Sequence, residues 1–547
     1  MELPLSRENA RDAAARRGAR DVFGLLLLLY ALILYPLLRA DRYYNDDLKR
    51  ALIGRAGWDS NGRPLTTLLM RMLQCYDHAM VDISPLPQIG AVAILAWAGV
   101  LLARRYPIGP AAMAALAAFP LGAQPFFLEN LSFKFDALSM SLAMLLAVLP
   151  ILQLRDGRRA WWLGVLALFG SLCFYQPAIN VYLVFVLVEW VMLQLRPVPP
   201  SLLLRRLAWR LLQGGCAMLI YYLVVGIHIS GWVKRSSERI HGWRELPLLW
   251  RHFVDFYAYV GSSFNVHWWM YFGPLLVMLA LFPVAVGIGY ARRLRAARPT
   301  PATVLFCLAA VLTPLAALIA ALGPMLALRQ PEIGPRVLMG LGALLAGALV
   351  VMAAALRQWR RSPRWALAAG CMLALGMCVL ASAYGNAAAA QKKYEDHIAS
   401  RLADDLARLK SSRGIDAFLL DGSAGDSPVT AHVIGQLPLV RALVPSYLDA
   451  DRNSFQTPGF LAFYIAGVTN LQANDQVPSP SLLSSLRARA CLVPADVVRA
   501  AYRIYVVGGT ALVRLSGAGA PLHATVEDAA VHCAPSHSHD TARETSP

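Results

Sequence analysis

The sequence predicts a polytopic α-helical membrane protein of about eleven spans, followed by a small α/β domain outside the membrane. Three observations predict it. Of 547 residues, 57% are hydrophobic and 15% charged, whereas a soluble domain is nearer a quarter charged. The apolar residues gather in runs long enough to cross a bilayer, and arginines gather in the short connectors between alternate runs. After Gly385 no such run recurs, and polar and apolar segments alternate.

The elements follow in chain order. Residues 1–21 carry Arg7, Arg11, Arg16, Arg17 and Arg20 and read as a cytoplasmic tail. The run from Val22 lacks a small-residue cleavage site and reads as an uncleaved first span. Ten further runs lie near 88–103, 107–125, 135–154, 160–174, 179–195, 211–229, 268–290, 302–322, 335–356 and 365–385. Arg104–Arg105, Arg155/Arg158/Arg159, Arg205/Arg206/Arg210, Arg292/Arg293/Arg295 and Arg357/Arg360/Arg361/Arg364 then all fall on the N-terminal side, while the turns near Glu129–Lys134 and Tyr175–Pro177 carry little positive charge. An odd number of spans satisfies every cluster and puts the C-terminus outside.

Two outer loops are long, 41–87 and 230–267. In the first, RPLTTLLMRMLQCY sets Leu65, Leu68, Leu69, Met72, Leu73 and Tyr76 on one helical face, the pattern of a helix lying along a membrane surface. Residues 386–535 form the outer domain. There QKKYEDHIASRLADDLARLK reads as an amphipathic helix and RIYVVGGTALVRL as two strands around Gly508–Gly509. Residues 536–547 read as disordered. The net charge of +18 is accounted for by topology, and no nucleic-acid-binding pattern accompanies it. None of the eight cysteines forms a CxxC pair; Cys491 and Cys533 both fall in the tail and can form a disulfide if it is exported.

No Walker loop, HExxH or GxSxG occurs, so neither a metal nor a cofactor is implied. What remains is polar groups at the outer face. Asp46 and Asp47 follow the first span, either as a general base with a raised pKa or as solvated acids balancing Lys49 and Arg50. Glu129, Lys134 and Asp136 enter an otherwise apolar span, where Lys134 and Asp136 read either as functional groups or as a mutual pair. Tyr175, Gln176 and Asn180 stand at an outer helix end. Arg329, Glu332 and Arg336 precede the tenth span, where a guanidinium suits a lipid phosphate or a snorkelling anchor.

These residues carry a resemblance. The acidic pair is followed by Gly57-Trp58, Gly62-Arg63-Pro64-Leu65, Asp82 with Pro85, the segment Glu129 to Asp136, Tyr175-Gln176, Pro335-Arg336-Val337 and Tyr394-Glu395-Asp396. In that order they resemble the GtrII-type bacterial glucosyltransferases that modify O-antigen. The resemblance implies a GT-C-like architecture in the inner membrane, with an active site at the periplasmic face. It implies no cofactor. The donor would be a polyprenyl-phosphate-linked hexose, supplied by a separate synthase and a small flippase, and the acceptor a lipid-linked O-antigen. Asp46 or Asp47 would be the catalytic base of an inverting transfer; Arg63, Lys134 and Arg336 would hold the donor phosphate; Asp82, Glu129, Asp136, Tyr175 and Gln176 would line the substrate site. The rivals are a transporter or lipid flippase, which calls for charges buried mid-span and repeat symmetry, and another envelope-modifying transferase. An acyltransferase would want a catalytic histidine pair, and His228, His241 and His267 have no evident partner.

Overall fold

A computed structural model describes residues 4–75, 79–153, 157–229, 238–297, 301–450, 456–472 and 480–516. The chain divides into two compact units, one of residues 1–388 with 433–443, the other of residues 389–432 with 444–547.

The first unit is helical. Its opening helix α1 (Pro4–Ala40) is continuous through the arginine-rich segment and the first apolar run. Short helices α2 (Asp47–Ile53) and α3 (Pro64–Gln74) build the following loop. Next come α4 (Leu86–Arg105), α5 (Ala111–Ala118), α6 (Pro120–Ala123), α7 (Phe127–Ser132), α8 (Ala137–Leu152) and α9 (Arg158–Phe174). Then follow α10 (Ile179–Gln194), α11 (Pro200–Val224), α12 (Pro247–Ser262), α13 (Val266–Ala297), α14 (Pro301–Leu322), α15 (Met339–Gln358) and α16 (Arg364–Arg413). Pro120 and Pro200 open their helices, where a missing N–H costs nothing.

Among the described residues, eight helices are long and apolar enough to cross a membrane, and Ala111–Ala123 and Ala137–Leu152 are shorter apolar helices. Together with α9 they coincide with the eleven apolar runs. Two boundaries differ from the sequence reading. Helix α11 starts at Pro200, so Arg205, Arg206 and Arg210 lie on it and not in a connector. The amphipathic segment 391–410 continues the last apolar run within α16 without a break, and Gly385, which reads as a stop, lies inside the helix, where its missing side chain makes room for Pro36 of α1.

Helix α3 forms as its periodicity predicts. Thr66, Thr67 and Met70 face inward, while Leu68, Met72 and Leu73 stay exposed; Tyr76 lies outside the described residues. Shielding that apolar face from water requires a lipid or protein surface.

The second unit carries a five-stranded mixed sheet in the order β2-β1-β5-β4-β3, formed by β1 (Ala417–Asp421), β2 (Thr469–Asn470), β3 (Val497–Val498), β4 (Tyr502–Val507) and β5 (Thr510–Leu515). Strand β1 runs parallel to β2 and β5, and β4 is antiparallel to its neighbours. The predicted hairpin is β4–β5; Gly508 and Gly509 sit at φ +58 and +79, the left-handed pair that a two-residue turn needs to match strand twist. Leu419, Leu486, Ala490, Val507 and Leu512 close the core beneath it. Cys491 is disulfide-bonded; Cys533 and the tail 536–547 lie outside the described residues.

Candidate active site

The loop between α1 and α4 is folded down by its own apolar residues. Trp58, Met70 and Met80 form a buried cluster with Phe135, and Trp58 is fully enclosed. Gly54 and Met80 close the loop through a backbone bond of 2.9 Å. That cluster carries the indole N–H of Trp58 to Asp136 Oδ1, 2.7 Å away.

Asp136, 2% exposed, is the hub. Arg50 Nη1 lies 3.3 Å from its Oδ2 and Arg63 Nη1 3.7 Å from its Oδ1. The Arg50 guanidinium lies over the Trp58 ring at 4.5 Å, and that of Arg63 over Tyr175 at the same distance. Such stacking fixes a planar cation that a lysine would leave mobile. Arg63 also donates to Gln176 Oε1 at 3.4 Å, and the Gln176 amide donates to Asn61 O at 2.9 Å and Tyr221 Oη at 2.8 Å.

The adjacent acids have unlike surroundings. Asp47 is fully buried; its Oδ2 accepts the Lys134 backbone N–H at 2.7 Å, and its Oδ1 has no hydrogen-bond partner. Burial pushes the Asp47 carboxyl up to about 8, against the opposing pull of Arg50. Asp46 is 45% exposed, and its Oδ2 lies 3.6 Å from Arg50 Nη1. Asp47 therefore favours the neutral acid at pH 7, whereas Asp46 opens to the surface. The folded pKa lies above the ordinary 3.8, so folding takes up a proton at Asp47. That contribution is complete below about pH 4 and is lost as pH rises to about 8. Thermal unfolding midpoints should fall over this window relative to Asp47→Asn, which has no proton to lose; parallel curves for the two proteins would remove this assignment.

A second arm begins at Lys134. Its ammonium contacts Asp41 at 2.6 Å and Asp82 at 3.6 Å, and lies over Tyr43 at 4.2 Å. A small open crevice lies beside it, bordered by Asp41, Ser84, Gln88, Ser132 and Tyr384. Lys134 and Asp136 thus do not pair with each other, as local spacing allowed; each takes partners from the preceding loop.

The third arm joins Glu129 to Arg336. Glu129, 5% exposed, accepts the Arg336 backbone N–H at 2.7 Å, and burial raises its carboxyl to about 7. The Arg336 guanidinium bonds Glu332 at 2.6 and 2.9 Å and is within electrostatic reach of Asp46. Tyr175 Oη donates to Arg336 O at 3.1 Å. The ten residues to which the resemblance assigns catalysis, donor phosphate or substrate therefore meet in one network, and Glu332 joins it through Arg336. Arg329 instead pairs with Glu238 and Glu245, and the buried Asn180 amide has no hydrogen-bond partner. Arg50, Asp41 and Tyr221 were missed as members. Arg50 carried a signal, since its four-residue spacing from Asp46 aligns the two on one helical face.

Gly62 shows how tightly the loop is set. It sits at φ +73, and a Cβ there would lie 2.5 Å from Tyr221 Oη and 2.8 Å from Ile229 Cδ1. Gly62→Ala should displace Arg63 and lower activity by up to about 10²-fold, the cost of an ångström-scale misplacement, with helical circular dichroism unchanged. Full activity would contradict that placement.

A family model described as Glucosyl transferase GtrII matches residues 35–346, which contain the whole network. A protein of Salmonella phage P22, described as an uncharacterized 55.3 kDa protein in the gtrB 5′ region, is 22% identical over 434 residues, 79% of this chain and 88% of that protein. No solved structure matches.

Proposed function

The chain belongs to the glucosyl transferase GtrII family, a family of glycosyltransferases, and on that premise we propose that it moves a hexose, glucose by family, from a polyprenyl-phosphate carrier to a lipid-linked O-antigen. In this reading all eleven apolar segments cross the inner membrane in a GT-C-like arrangement. The N-terminus is cytoplasmic, and the carboxylate network and the sheet-bearing unit are periplasmic. A separate synthase and a small flippase supply the donor. The observation that carries the reading is a half-exposed carboxylate, Asp46, at the rim of a set of guanidiniums of which Arg50 is buried and Arg63 and Arg336 are partly exposed.

The chemistry follows from that contrast. The acceptor hydroxyl oxygen attacks the anomeric carbon as its proton passes to Asp46. The bond from that carbon to the phosphate oxygen breaks, the electron pair leaves with the polyprenyl phosphate, and attack from the opposite face inverts the centre. Phosphate is a good leaving group, so the protein has only to stabilise its charge. Arg63 and Arg336 are suited to this as fixed forks and Lys134 as a point charge beside the crevice. Asp47, neutral and enclosed, positions Lys134 through its backbone. Asp82, Glu129, Asp136, Tyr175 and Gln176 hold these cations and line the substrate site.

The test is mass analysis of lipopolysaccharide from cells with and without the chain, with synthase and flippase co-expressed. One added hexose per O-antigen repeat is the expected result. Unchanged glycan with altered solute or lipid movement would replace the reading with transport.

A further inference from the structure

The second long loop, 230–267, contains a helix with two unlike sides. On α12, entered through the single turn Trp243–Glu245, His252 and Phe256 are buried. On the other side Leu246, Trp250 and Val254 recur at every fourth residue, and they are 53%, 65% and 44% exposed. Trp243, 76% exposed, extends this stripe beyond the start of the helix. The Trp250 ring stacks on Phe253 at 5.3 Å. Arginines border the stripe: Arg251 stands about 100° round the helix from Trp250, and the Arg244 guanidinium lies over the Trp243 ring at 5.5 Å. A run of large apolar side chains left this open needs cover from water.

Three contacts fix the height of the stripe. The Ile240 N–H donates to Ala327 O at 2.9 Å, His252 Nδ1 lies 3.0 Å from Leu326 O, and Tyr257 Oη donates to Leu318 O at 2.9 Å. All three carbonyls belong to the apolar segment Thr303–Ala327, which is long enough to cross a membrane. The helix therefore lies beside the last turns of that segment, at the end from which the chain continues to Arg336, and not above them. That is the depth of the boundary between head groups and acyl chains, where amphipathic helices settle and tryptophans concentrate. Only residues 263–265 separate α12 from α13, itself long and apolar enough to span. Beside the stripe, Glu245 pairs with Arg329 at 3.1 Å, and the Arg329 N–H donates to Glu238 O at 2.8 Å.

We propose that the stripe from Trp243 to Val254 rests in the phospholipid leaflet on the side of the carboxylate network. Acyl chains cover Leu246, Trp250 and Val254, while Arg244 and Arg251 reach outward to the lipid phosphates. Through Glu245 and Arg329, the leaflet braces the segment that leads to Arg336.

The full-length chain in nanodiscs of phosphatidylethanolamine and phosphatidylglycerol tests this. Trp250→Cys and Val254→Cys report the stripe, Arg251→Cys reports its border, and wild type gives the background of native cysteines. Protein packing leaves all three positions open, the Arg251 side chain being 75% exposed, so without lipid cover a charged, membrane-impermeant maleimide would label them alike. Lipid cover should slow that reagent at both stripe positions at least about tenfold relative to Arg251→Cys, the population penalty for lifting one apolar side chain into water. A trace phospholipid with a diazirine in its acyl chain should also crosslink to the Trp243–Val254 segment of wild type. Equal labelling at the three positions would overturn the proposal. Protection without lipid crosslinks, or a disulfide-linked dimer of Val254→Cys that wild type does not form, would replace lipid with a protein contact. Sugar transfer is not read by this assay, so its result stands apart from the transferase reading.

Discussion

Asp46→Asn is expected to lower glycosyl transfer by about 10²–10⁴-fold, the usual contribution of a positioned base, with little change in the KM for donor or acceptor. The isosteric amide keeps the N-terminal turn of α2 and removes the proton acceptor. Asp47→Asn should lose less than about tenfold, since an amide oxygen still accepts the Lys134 N–H and a neutral acid gives up no basicity at pH 7. The readout is single-turnover transfer in membranes. Full transfer by both variants would remove carboxylate catalysis from this loop. A larger loss at Asp47 would reverse their roles.

The second large effect is structural. Asp136→Leu removes the acceptor of the Trp58 indole and the counter-charge of Arg50 and Arg63, leaving two guanidiniums with little access to water. Breaking such a buried pair from one side costs about 3–5 kcal/mol. Asp136→Asn, which keeps an acceptor for Trp58, should cost less. Unfolding in detergent measures both. An Asp136→Leu protein within about 0.5 kcal/mol of wild type, the spread of ordinary surface substitutions, would show that the hub does not hold the loop.

Periodicity and charge revealed the elements because both are local. The apolar stripe of α3, the Gly508–Gly509 turn and the runs that became the spanning helices are set by neighbours within a few residues. Helix ends were less legible: the start of α11 was displaced by arginines that a helix end tolerates and the sequence reading placed in a connector. The candidate site was legible as a set of residues but not as a set of bonds. Which cation Asp136 would take depends on a tertiary approach across 86 positions to Arg50 or 73 to Arg63, and no spacing rule decides it. The contrast between Asp46 and Asp47 is likewise invisible in two adjacent identical letters; it arises when α2 packs one against Lys134 and leaves the other at the rim.

The long reach of these contacts sets an order on biosynthesis. Trp58 and Asp136 are 78 positions apart, Asp47 and the Lys134 amide 87. At ordinary elongation rates of about 5–20 residues per second, the loop after α1 exists for roughly 4–17 seconds before its acceptors have been made. During that interval its acids and arginines remain hydrated, and its indole has nothing to dock against. The newborn loop therefore stays unfinished until the later hairpin is inserted, and a chain stalled before Asp136 presents an open segment to proteases and chaperones.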